Sequence, residues 1–532
     1  MKKMKKLILL ITLVPFLIQA QNQLLIENGA SLTIGKKSFV KVKGNLYNDG
    51  STLTLNSDSN EFSSIIVDGS SSGNVIYNRY VNVVGDTGWD LIGSPVNGLT
   101  ISSFATSNDG SLATSGSTYA IGVYDSSADS WTNYTSSSGG NFPGSTTFDI
   151  GKGYQMASQS ASGQTLKFTG TIATTDQTQA IQDYSGGSGR IWNLVANPYP
   201  SYINANNNAN SSDNFLKSNF ESDDHDFIVN NLHDSYVALY GYDADGSGYT
   251  IYNQSSAATY IAPGQAFMVA SDNSSAGTSI SFTEAMQTTL GSDDFIVGDI
   301  IETSFELILK LHEGDSEIGS TRFYFEDGLE LDLDPGYDAG HFNQSASLMS
   351  RLAEEDEGVG FAINAMGLEN VNDVVVPIVI NREAGTDFRI SIDTFGIYAG
   401  TNVYLEDNEQ GTLTLLNEGD FELNPESTLS EAGRFFIHLT ESTFSVEDEV
   451  ETNLLNVFKA DYNNFITVEG LAMQSGITNV KLYSVLGREI LSTELNNSTN
   501  TQTISTEIIA TGIYIIKLQS GNRILTKKLI IK

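Results

Sequence analysis

The fold is indicated by a stretch of sequence that occurs twice. Residues 88–95 read Gly-Trp-Asp-Leu-Ile-Gly-Ser-Pro, and residues 191–198 read Ile-Trp-Asn-Leu-Val-Ala-Asn-Pro. Three further matched blocks follow in the same order: Tyr124-Asp125 with Tyr242-Asp243, Trp131 to Tyr134 with Tyr249 to Tyr252, and residues 151–154 with 264–267. Four matched blocks in one order predict the duplication of a β unit of roughly 100 residues. We place the two repeat units at residues 79–172 and 184–290.

The second repeat unit carries an insertion. The spacing after the Trp block is longer in the second unit than in the first, and residues 204–234 there are rich in Asn, Ser and Asp. Because this composition is typical of connecting segments, we predict a long surface loop after Ser201.

The regions on either side of the repeats are also predicted to be β. Residues 21–78 contain short apolar pairs at alternate positions, which indicate brief strands and a β-solenoid-like N-terminal cap. Residues 293–445 contain longer alternating strands, such as the one from Phe305 to Leu311, and predict an antiparallel β-sandwich. Together with a further β unit at residues 453–532, these patterns predict an all-β, multidomain chain.

Composition excludes several classes of protein. The chain has 532 residues, with 27 Lys and Arg against 64 Asp and Glu, so its formal net charge is -37. That charge disfavours nucleic-acid binding, because it repels the phosphate backbone. The absence of cysteine excludes disulfides, thiolate metal sites and a cysteine nucleophile.

The N-terminus has the three parts of a secretory signal peptide. Four lysines precede the apolar run from Leu7 to Ile18, and Ala20 offers a small residue for cleavage. The apolar run is too short for the roughly 20 residues that span a bilayer. We therefore predict a signal peptide at residues 1–20. No later apolar run approaches spanning length, so no transmembrane segment is expected in the mature chain.

The last 80 residues carry an ordered set of strand motifs. Residues 480–490 read VKLYSVLGREI, residues 511–518 read TGIYIIKL, and residues 527–532 read KKLIIK. This order, at the C-terminal end, resembles the type A C-terminal sorting domain of the type IX (Por) secretion system. The motif residues are these: Gly487, Arg488, Gly512, Tyr514, Lys527 and Lys528. The family's P-N-P turn is replaced here by Phe-Lys-Ala-Asp-Tyr-Asn-Asn at residues 458–464.

The resemblance implies both a fold and a destination. It implies an immunoglobulin-like β-sandwich at residues 453–532, which an outer-membrane translocon would recognise. It also implies a secreted or cell-surface location, where the family's cargo is released or attached to surface lipopolysaccharide after removal of the domain.

Catalytic motifs are scarce. The sequence has no H-E-x-x-H helix, no G-x-S-x-G elbow and no Walker A loop. Glycoside hydrolysis needs only two suitably spaced carboxyl groups, and any two of the 64 acids could supply them. A non-catalytic protein is favoured, and a polysaccharide-acting hydrolase with a carboxylate pair is the alternative.

Two acidic segments are candidate calcium sites. Asp243 and Asp245 begin a D-x-D-x-S-G pattern, but the twelfth position is Gln254 in place of the Glu that a full loop requires. A hairpin turn is therefore favoured, and no cofactor is expected. The second segment contains four acids, which also suit the exposed face of an edge strand: Glu330, Asp332, Asp334 and Asp338.

Two aromatic residues are candidate glycan contacts. Trp131 and Tyr249 occupy equivalent hairpin positions in the two repeat units, and each is followed three residues later by Tyr. Packing across the hairpin is the competing interpretation. The sequence thus predicts a secreted adhesin or glycan-contacting protein, with glycans as candidate partners.

Overall fold

The structure is a computed structural model that describes the following residues: 23–82, 89–136, 146–184, 190–223, 226–243, 248–272, 278–291, 293–294, 305–395, 400–441, 455–459, 464–474, 476–484, 488–521 and 523–531. The predicted signal peptide, Asp245 and Gly487 lie outside these residues. Strands make up 52% of the structure and helices 6%. The prediction of an all-β, multidomain chain is confirmed.

The N-terminal region is built from parallel strands. They are β1 (Gln23–Ile26), β2 (Ser31–Ile34), β3 (Phe39–Val42), β4 (Asn45–Asn48), β5 (Thr52–Asn56), β6 (Ser64–Val67), β7 (Ser71–Ser72) and β8 (Val75–Val81). They pair in three parallel sets, β1-β4-β7, β2-β5-β8 and β3-β6. Successive strands thus belong to three different sheets, which is the arrangement of a short β-solenoid.

The first repeat follows without a break in the sheets. Its elements are β9 (Asp90–Ile92), α1 (Ile101–Ser107), β10 (Thr114–Ser115), β11 (Thr118–Asp125), β12 (Ser130–Thr135), β13 (Tyr154–Met156) and β14 (Gln164–Gly170). Strand β14 pairs with β8 and so extends a sheet of the solenoid. The boundary that the sequence placed at residue 78 therefore falls inside a strand that both regions share.

The second repeat has more elements. They are β15 (Gln177–Ala180), β16 (Trp192–Ala196), β17 (Tyr202–Asn204), α2 (Phe215–Asn219), β18 (Phe220–Asp223), β19 (Asp226–Asn230), β20 (Leu239–Asp243), β21 (Gly248–Tyr252), β22 (Tyr260–Ile261), β23 (Ala266–Ala270), β24 (Ser279–Phe282) and β25 (Gln287–Thr288). Strand β15 pairs with β24 as β8 pairs with β14. Short 3-10 turns occur at Asp234–Tyr236 and Glu284–Met286.

The central sheets of the two repeats have the same strand order and register. The order is β9-β13-β11-β12 in the first repeat and β16-β23-β20-β21 in the second. Residues that are directly opposite each other in the first sheet have equivalents that are opposite each other in the second. The pair Ile92–Tyr154 corresponds to Val195–Phe267, Gly122–Gln155 to Tyr240–Met268, and Tyr124–Trp131 to Tyr242–Tyr249. This agreement is what duplication of one unit would produce.

The two repeats contact each other through equivalent atoms. Gly93 N donates to Gly264 O at 2.8 Å, and the equivalent Ala196 N donates to Gly151 O at 2.8 Å. A side chain at Gly93 would overlap with that of Ala196, so the close approach requires a small residue on each side. The contact is isologous, as between the subunits of a symmetric dimer.

The prediction of a surface loop at residues 204–234 is wrong. Helix α2 lies within this segment, and its Phe215 and Leu216 are fully buried in the core of the second repeat. Asn206 and Asn214 are also buried; the Asn206 amide donates to three backbone carbonyls, and Asn214 accepts from Lys217 N at the start of α2. Polar composition misled the prediction because these amides satisfy buried backbone groups.

Residues 305–441 form one sheet that folds over on itself. Its strands are β26 (Phe305–Glu313), β27 (Ser316–Glu326), β28 (Ala339–Gly340), β29 (Leu348–Ser350), β30 (Phe361–Gly367), β31 (Asp373–Ile380), β32 (Phe388–Phe395), β33 (Asn402–Asp407), β34 (Thr412–Leu415), β35 (Phe421–Leu423) and β36 (Phe435–Thr440), with a 3-10 turn at Leu368–Asn370. Phe388 and Phe435, on strands distant in the sheet, lie 6.4 Å apart in one core. We call this region the sandwich. Strands β27 and β30 are parallel, so it is not wholly antiparallel as predicted.

The C-terminal region is a second, smaller sandwich. Its strands are β37 (Asn456–Phe458), β38 (Phe465–Glu469), β39 (Thr478–Ser484), β40 (Glu489–Leu495), β41 (Gln502–Ser505), β42 (Gly512–Ser520) and β43 (Arg523–Ile531), with a 3-10 turn at Leu471–Met473. They form the sheets β37-β38-β41 and β40-β39-β42-β43 around a common core. Neither α-helix of the described chain has the length and apolar character needed to cross a bilayer.

Candidate functional site

Trp131 lies on the surface at the end of the β11–β12 hairpin. Its side chain is 37% exposed, an unusual state for the largest apolar side chain. Tyr124, its partner across the hairpin, packs against it with ring centroids 5.4 Å apart at an angle of 53°. One side of the indole is thus held in place while part of it stays open to solvent.

Polar groups beside Trp131 are also held in place. The Tyr124 hydroxyl donates to Asp129 Oδ1 at 2.7 Å, and Arg190 Nε lies 3.1 Å from Asp129 Oδ2. Burial, together with the Asp129 carboxylate, raises the pKa of the Tyr124 hydroxyl above its usual value. The backbone amide of Arg190 donates to Ser126 O at 2.8 Å, which fixes the second repeat against this hairpin. The partly exposed Trp131 ring and the partly exposed Asp129–Arg190 pair therefore lie at the end of one hairpin, and Tyr124 contacts both Trp131 and Asp129.

Tyr249, the equivalent residue of the second repeat, has a different environment. Its ring stacks on Phe342 of the sandwich, with centroids 4.0 Å apart and planes at 24°. It also packs against Tyr242 across its own hairpin at 5.6 Å. Burial raises the pKa of Tyr249 to about 12. One face of this ring is thus occupied by the neighbouring region.

Asp243, a candidate calcium ligand, bonds within its hairpin. The Thr250 hydroxyl donates a hydrogen bond to this carboxylate, with Oγ1 at 3.1 Å from Asp243 Oδ1 and 2.9 Å from Oδ2. The second candidate ligand, Asp245, lies outside the described residues. Among the residues that the structure describes, no three His, Asp or Glu side chains are grouped as metal ligands.

The acids at 330–338 do not form the exposed face of an edge strand, and that interpretation is wrong. Asp338 is fully buried, and its two oxygens accept from Asp334 N and Ala365 N, both at 2.7 Å. Burial raises the pKa of Asp338 well above its usual value. Burial also raises the pKa of Asp334 to about 6, and the carboxylate of Asp332 contributes. The segment is a turn whose acids satisfy backbone amides, which sequence alternation cannot reveal.

The predicted sorting residues occupy distinct positions in the small C-terminal sandwich. Arg488 closes the β39–β40 hairpin, where its carbonyl accepts from Ser484 N at 2.9 Å. Gly512 begins β42, and Tyr514 is in the core, with its hydroxyl donating to Ala510 O at 2.6 Å.

The two sorting lysines are consecutive residues of β43, so their side chains point to opposite faces of the sheet. Lys528 is paired with Glu355 of the sandwich, with its Nζ 2.5 Å from the Oε1. That hydrogen bond raises the pKa of Lys528, whereas burial lowers the pKa of Lys527. The two basic residues of one motif therefore have different environments.

Comparisons with known proteins agree with this division of the chain. Residues 12–439 match the family described as "Domain of unknown function (DUF8693)", and residues 462–532 match "Secretion system C-terminal sorting domain". The chain therefore belongs to the family of proteins with the domain of unknown function DUF8693, and it carries a type IX C-terminal sorting domain. It interacts with the type IX secretion machinery, and it is exported to the cell surface or the extracellular space.

A solved structure titled "Crystal structure of tetra-tandem repeat in extending region of large adhesion protein" is 10% identical, covers 77% of this chain and 89% of its own, and has a TM-score of 0.13. No curated protein matches the chain.

Proposed function

We propose that this exported protein is a non-catalytic adhesin that contacts glycans through the surface around Trp131. The observation that carries the proposal is the partly exposed indole of Trp131, held by Tyr124 beside the Asp129–Arg190 pair. Sugars present apolar C–H faces that pack on aromatic rings, and hydroxyl groups that bond charged planar side chains. An open aromatic face with a carboxylate and a guanidinium next to it has both features.

The proposal rests on the first repeat. Phe342 covers one face of Tyr249, so the second repeat offers less aromatic surface at the equivalent position. A single exposed site of this size suits weak binding, strengthened by many copies on one cell surface.

A glycan array tests the proposal. The mature protein should bind a subset of glycans, and Trp131→Ala should weaken binding by about fivefold or more, as expected for the loss of ~1 kcal/mol of stacking. Trp131→Tyr should retain most of the binding because it keeps a ring. Phe39→Ala, which removes another exposed aromatic residue, is the matched control and should have no effect. Equal binding by Trp131→Ala and the native chain would refute the proposal.

The alternative function, a polysaccharide hydrolase, has one observation in its favour. Asp334 has a pKa raised to about 6 by burial, and the pKa of Asp332 is raised for the same reason. A carboxyl group with a pKa near 6 keeps a protonated fraction closer to neutral pH than an ordinary carboxyl group does, and that fraction can act as a general acid. Release of reducing sugar from polysaccharide by the native chain, lost in Asp334→Asn, would replace the adhesin proposal with this one.

A further inference from the structure

The sorting domain differs in charge from the rest of the chain. Residues 462–532 contain seven basic residues and four acidic ones, a net charge of +3 in a chain of net charge -37. The basic residues are these: Lys481, Arg488, Lys517, Arg523, Lys527, Lys528 and Lys532. A basic domain on an acidic protein attracts partners of negative charge selectively.

Three of these lysines share one face of the β40-β39-β42-β43 sheet. Lys481 of β39 and Lys517 of β42 are directly paired across the strands. Lys528 lies on the next strand, β43, where it is paired with Ile515. In each strand the adjacent residues (Leu482, Leu518 and Leu529) are buried, so the three lysines point away from the core. The acids of this sheet, Glu489 and Glu494, lie on β40, the strand next to β39, and Glu489 Oε2 is 3.1 Å from Lys481 Nζ. Both side chains of this ion pair stay partly exposed, at 45% for Lys481 and 44% for Glu489.

Exposed apolar side chains lie on the same face. Ile513 and Ile530 are paired across β42 and β43 and are 46% and 37% exposed, and Ile524 is 54% exposed. Ile524 is paired with Gln519 at the other end of the same two strands. Isoleucine is among the residues most often buried, so the exposed pair Ile513 and Ile530 is a feature of the kind that marks interaction sites. We call Lys481, Lys517, Lys528, Ile513 and Ile530 the basic face.

The contact between Lys528 and Glu355 shows which chemistry this face accepts. Glu355 belongs to the sandwich and places its carboxylate 2.5 Å from Lys528 Nζ. The side chain of Lys528 nevertheless remains 48% exposed. A carboxylate from another protein would meet the same ammonium groups, and a second copy of the basic face would be repelled by them.

We propose that the basic face is the surface through which the export machinery recognises this chain, and that the partner is a protein surface with carboxylates around an apolar patch. The inference rests on the export assignment and is independent of the glycan proposal. Lysines give charge complementarity and speed of encounter, while the isoleucines supply the apolar area that a stable contact buries.

The test is export of full-length variants in a bacterium that has a type IX system. Two double variants remove separate parts of the face: Lys481→Gln with Lys517→Gln, and Ile513→Ser with Ile530→Ser. Each should lower the exported fraction by about tenfold, as expected for the loss of part of a recognition surface. The protein should accumulate in the periplasm, with the melting temperature of the purified variant unchanged.

Two matched variants serve as controls. Thr503→Ala with Ser505→Ala alters the exposed face of the other sheet and should be exported normally. Lys481→Arg with Lys517→Arg keeps the charge and should also be exported, which separates loss of charge from damage to the fold.

A deletion from Asn453 onward separates the possible failures. If the deletion variant stays in the periplasm but both face variants are exported normally, the basic face is not the recognition surface. Export of the face variants followed by their release from the cell would assign the face to the step that transfers the cargo to lipopolysaccharide, and would also overturn the proposal. Normal export of the deletion would refute the sorting assignment itself.

Discussion

At the scale of single residues, the least predictable features are polar side chains that satisfy buried backbone groups. The sequence shows alternating acids from Glu330 to Asp338, which fit an exposed strand equally well. Only the approach of Ala365 N to Asp338 reveals the buried turn. The sequence also leaves undecided which of the equivalent residues Trp131 and Tyr249 is exposed. Tyr249 is covered by Phe342 of the sandwich, and neither repeat contains that residue.

The raised pKa of Asp334 predicts how stability depends on pH. A carboxyl whose folded pKa is raised to about 6 favours the folded state below pH 4, and this contribution is lost as pH rises to 6. After a discount for partial exposure, the loss is about 1 kcal/mol. Asp334→Asn should therefore unfold at higher urea than the native chain at pH 7, and at the same urea at pH 4. Exposed Asp327→Asn is the control, and an equal response of both variants would contradict the assignment.

At the scale of elements, the two repeats share a helix–strand connection that lies outside the four matched blocks of sequence. Asn108 follows α1 and Asn219 ends α2, and each amide donates to the carbonyl of the Phe four residues earlier. Each Asn also bonds both backbone groups of one strand residue, Lys167 in β14 and Ser281 in β24. The shared pattern F-x-x-S-N, at 104–108 and 215–219, is the signal that could have revealed it.

These bonds predict equal costs for equivalent substitutions. Asn108→Ala and Asn219→Ala should each lower the stability of their repeat by about 2–3 kcal/mol, because a buried N–H and carbonyl lose their partners. The neighbouring variants Ser107→Ala and Ser218→Ala should change it by less than about 0.5 kcal/mol. Thermal unfolding of the four variants measures both effects. Widely different costs at Asn108 and Asn219 would contradict the equivalence of the two helices.

Strands were more predictable than helices for a physical reason. Alternation records which residues of a strand share a face, and Leu307, Leu309 and Leu311, at alternate positions of the predicted strand, are all fully buried. Helices α1 and α2 have seven and five residues, too few to give a periodic apolar pattern. The pairing of β14 with the solenoid was also beyond prediction, because it joins residues of separate sequence patterns.

At the scale of the whole molecule, the regions contact each other through specific polar and aromatic groups. Arg79 Nε of the solenoid region donates to Pro263 O of the second repeat at 3.0 Å. Tyr240 of that repeat donates to Gly340 O of the sandwich at 2.8 Å. Hydrogen bonds therefore join the solenoid region to the second repeat, and the second repeat to the sandwich.

The sorting domain contacts the sandwich. The Arg351 guanidinium lies 4.4 Å from the centre of the Phe458 ring, and Asn456 Nδ2 donates to Asp356 Oδ2 at 3.0 Å. A side chain at Gly433 would come within 2.6 Å of the backbone of Gly470, so the two regions also meet through their main chains. Buried charge and close backbone approach indicate that the sorting domain has a defined position against the sandwich. A domain held only by a flexible linker would show neither feature.

The contact between the sorting domain and the sandwich predicts a specific chemical cross-link. Zero-length carbodiimide coupling joins a lysine amine to a carboxylate in direct contact, so it should link Lys528 to Glu355, whose atoms are 2.5 Å apart. The pair Lys310 and Asp393, 2.6 Å apart within the sandwich, is the internal control. Mass spectrometry of the digested full chain should find both links, and Glu355→Gln should remove only the first. Both pairs join a lysine amine to a carboxylate at nearly the same distance. Recovery of the control link alone would therefore mean that the sorting domain does not contact the sandwich in this way in solution.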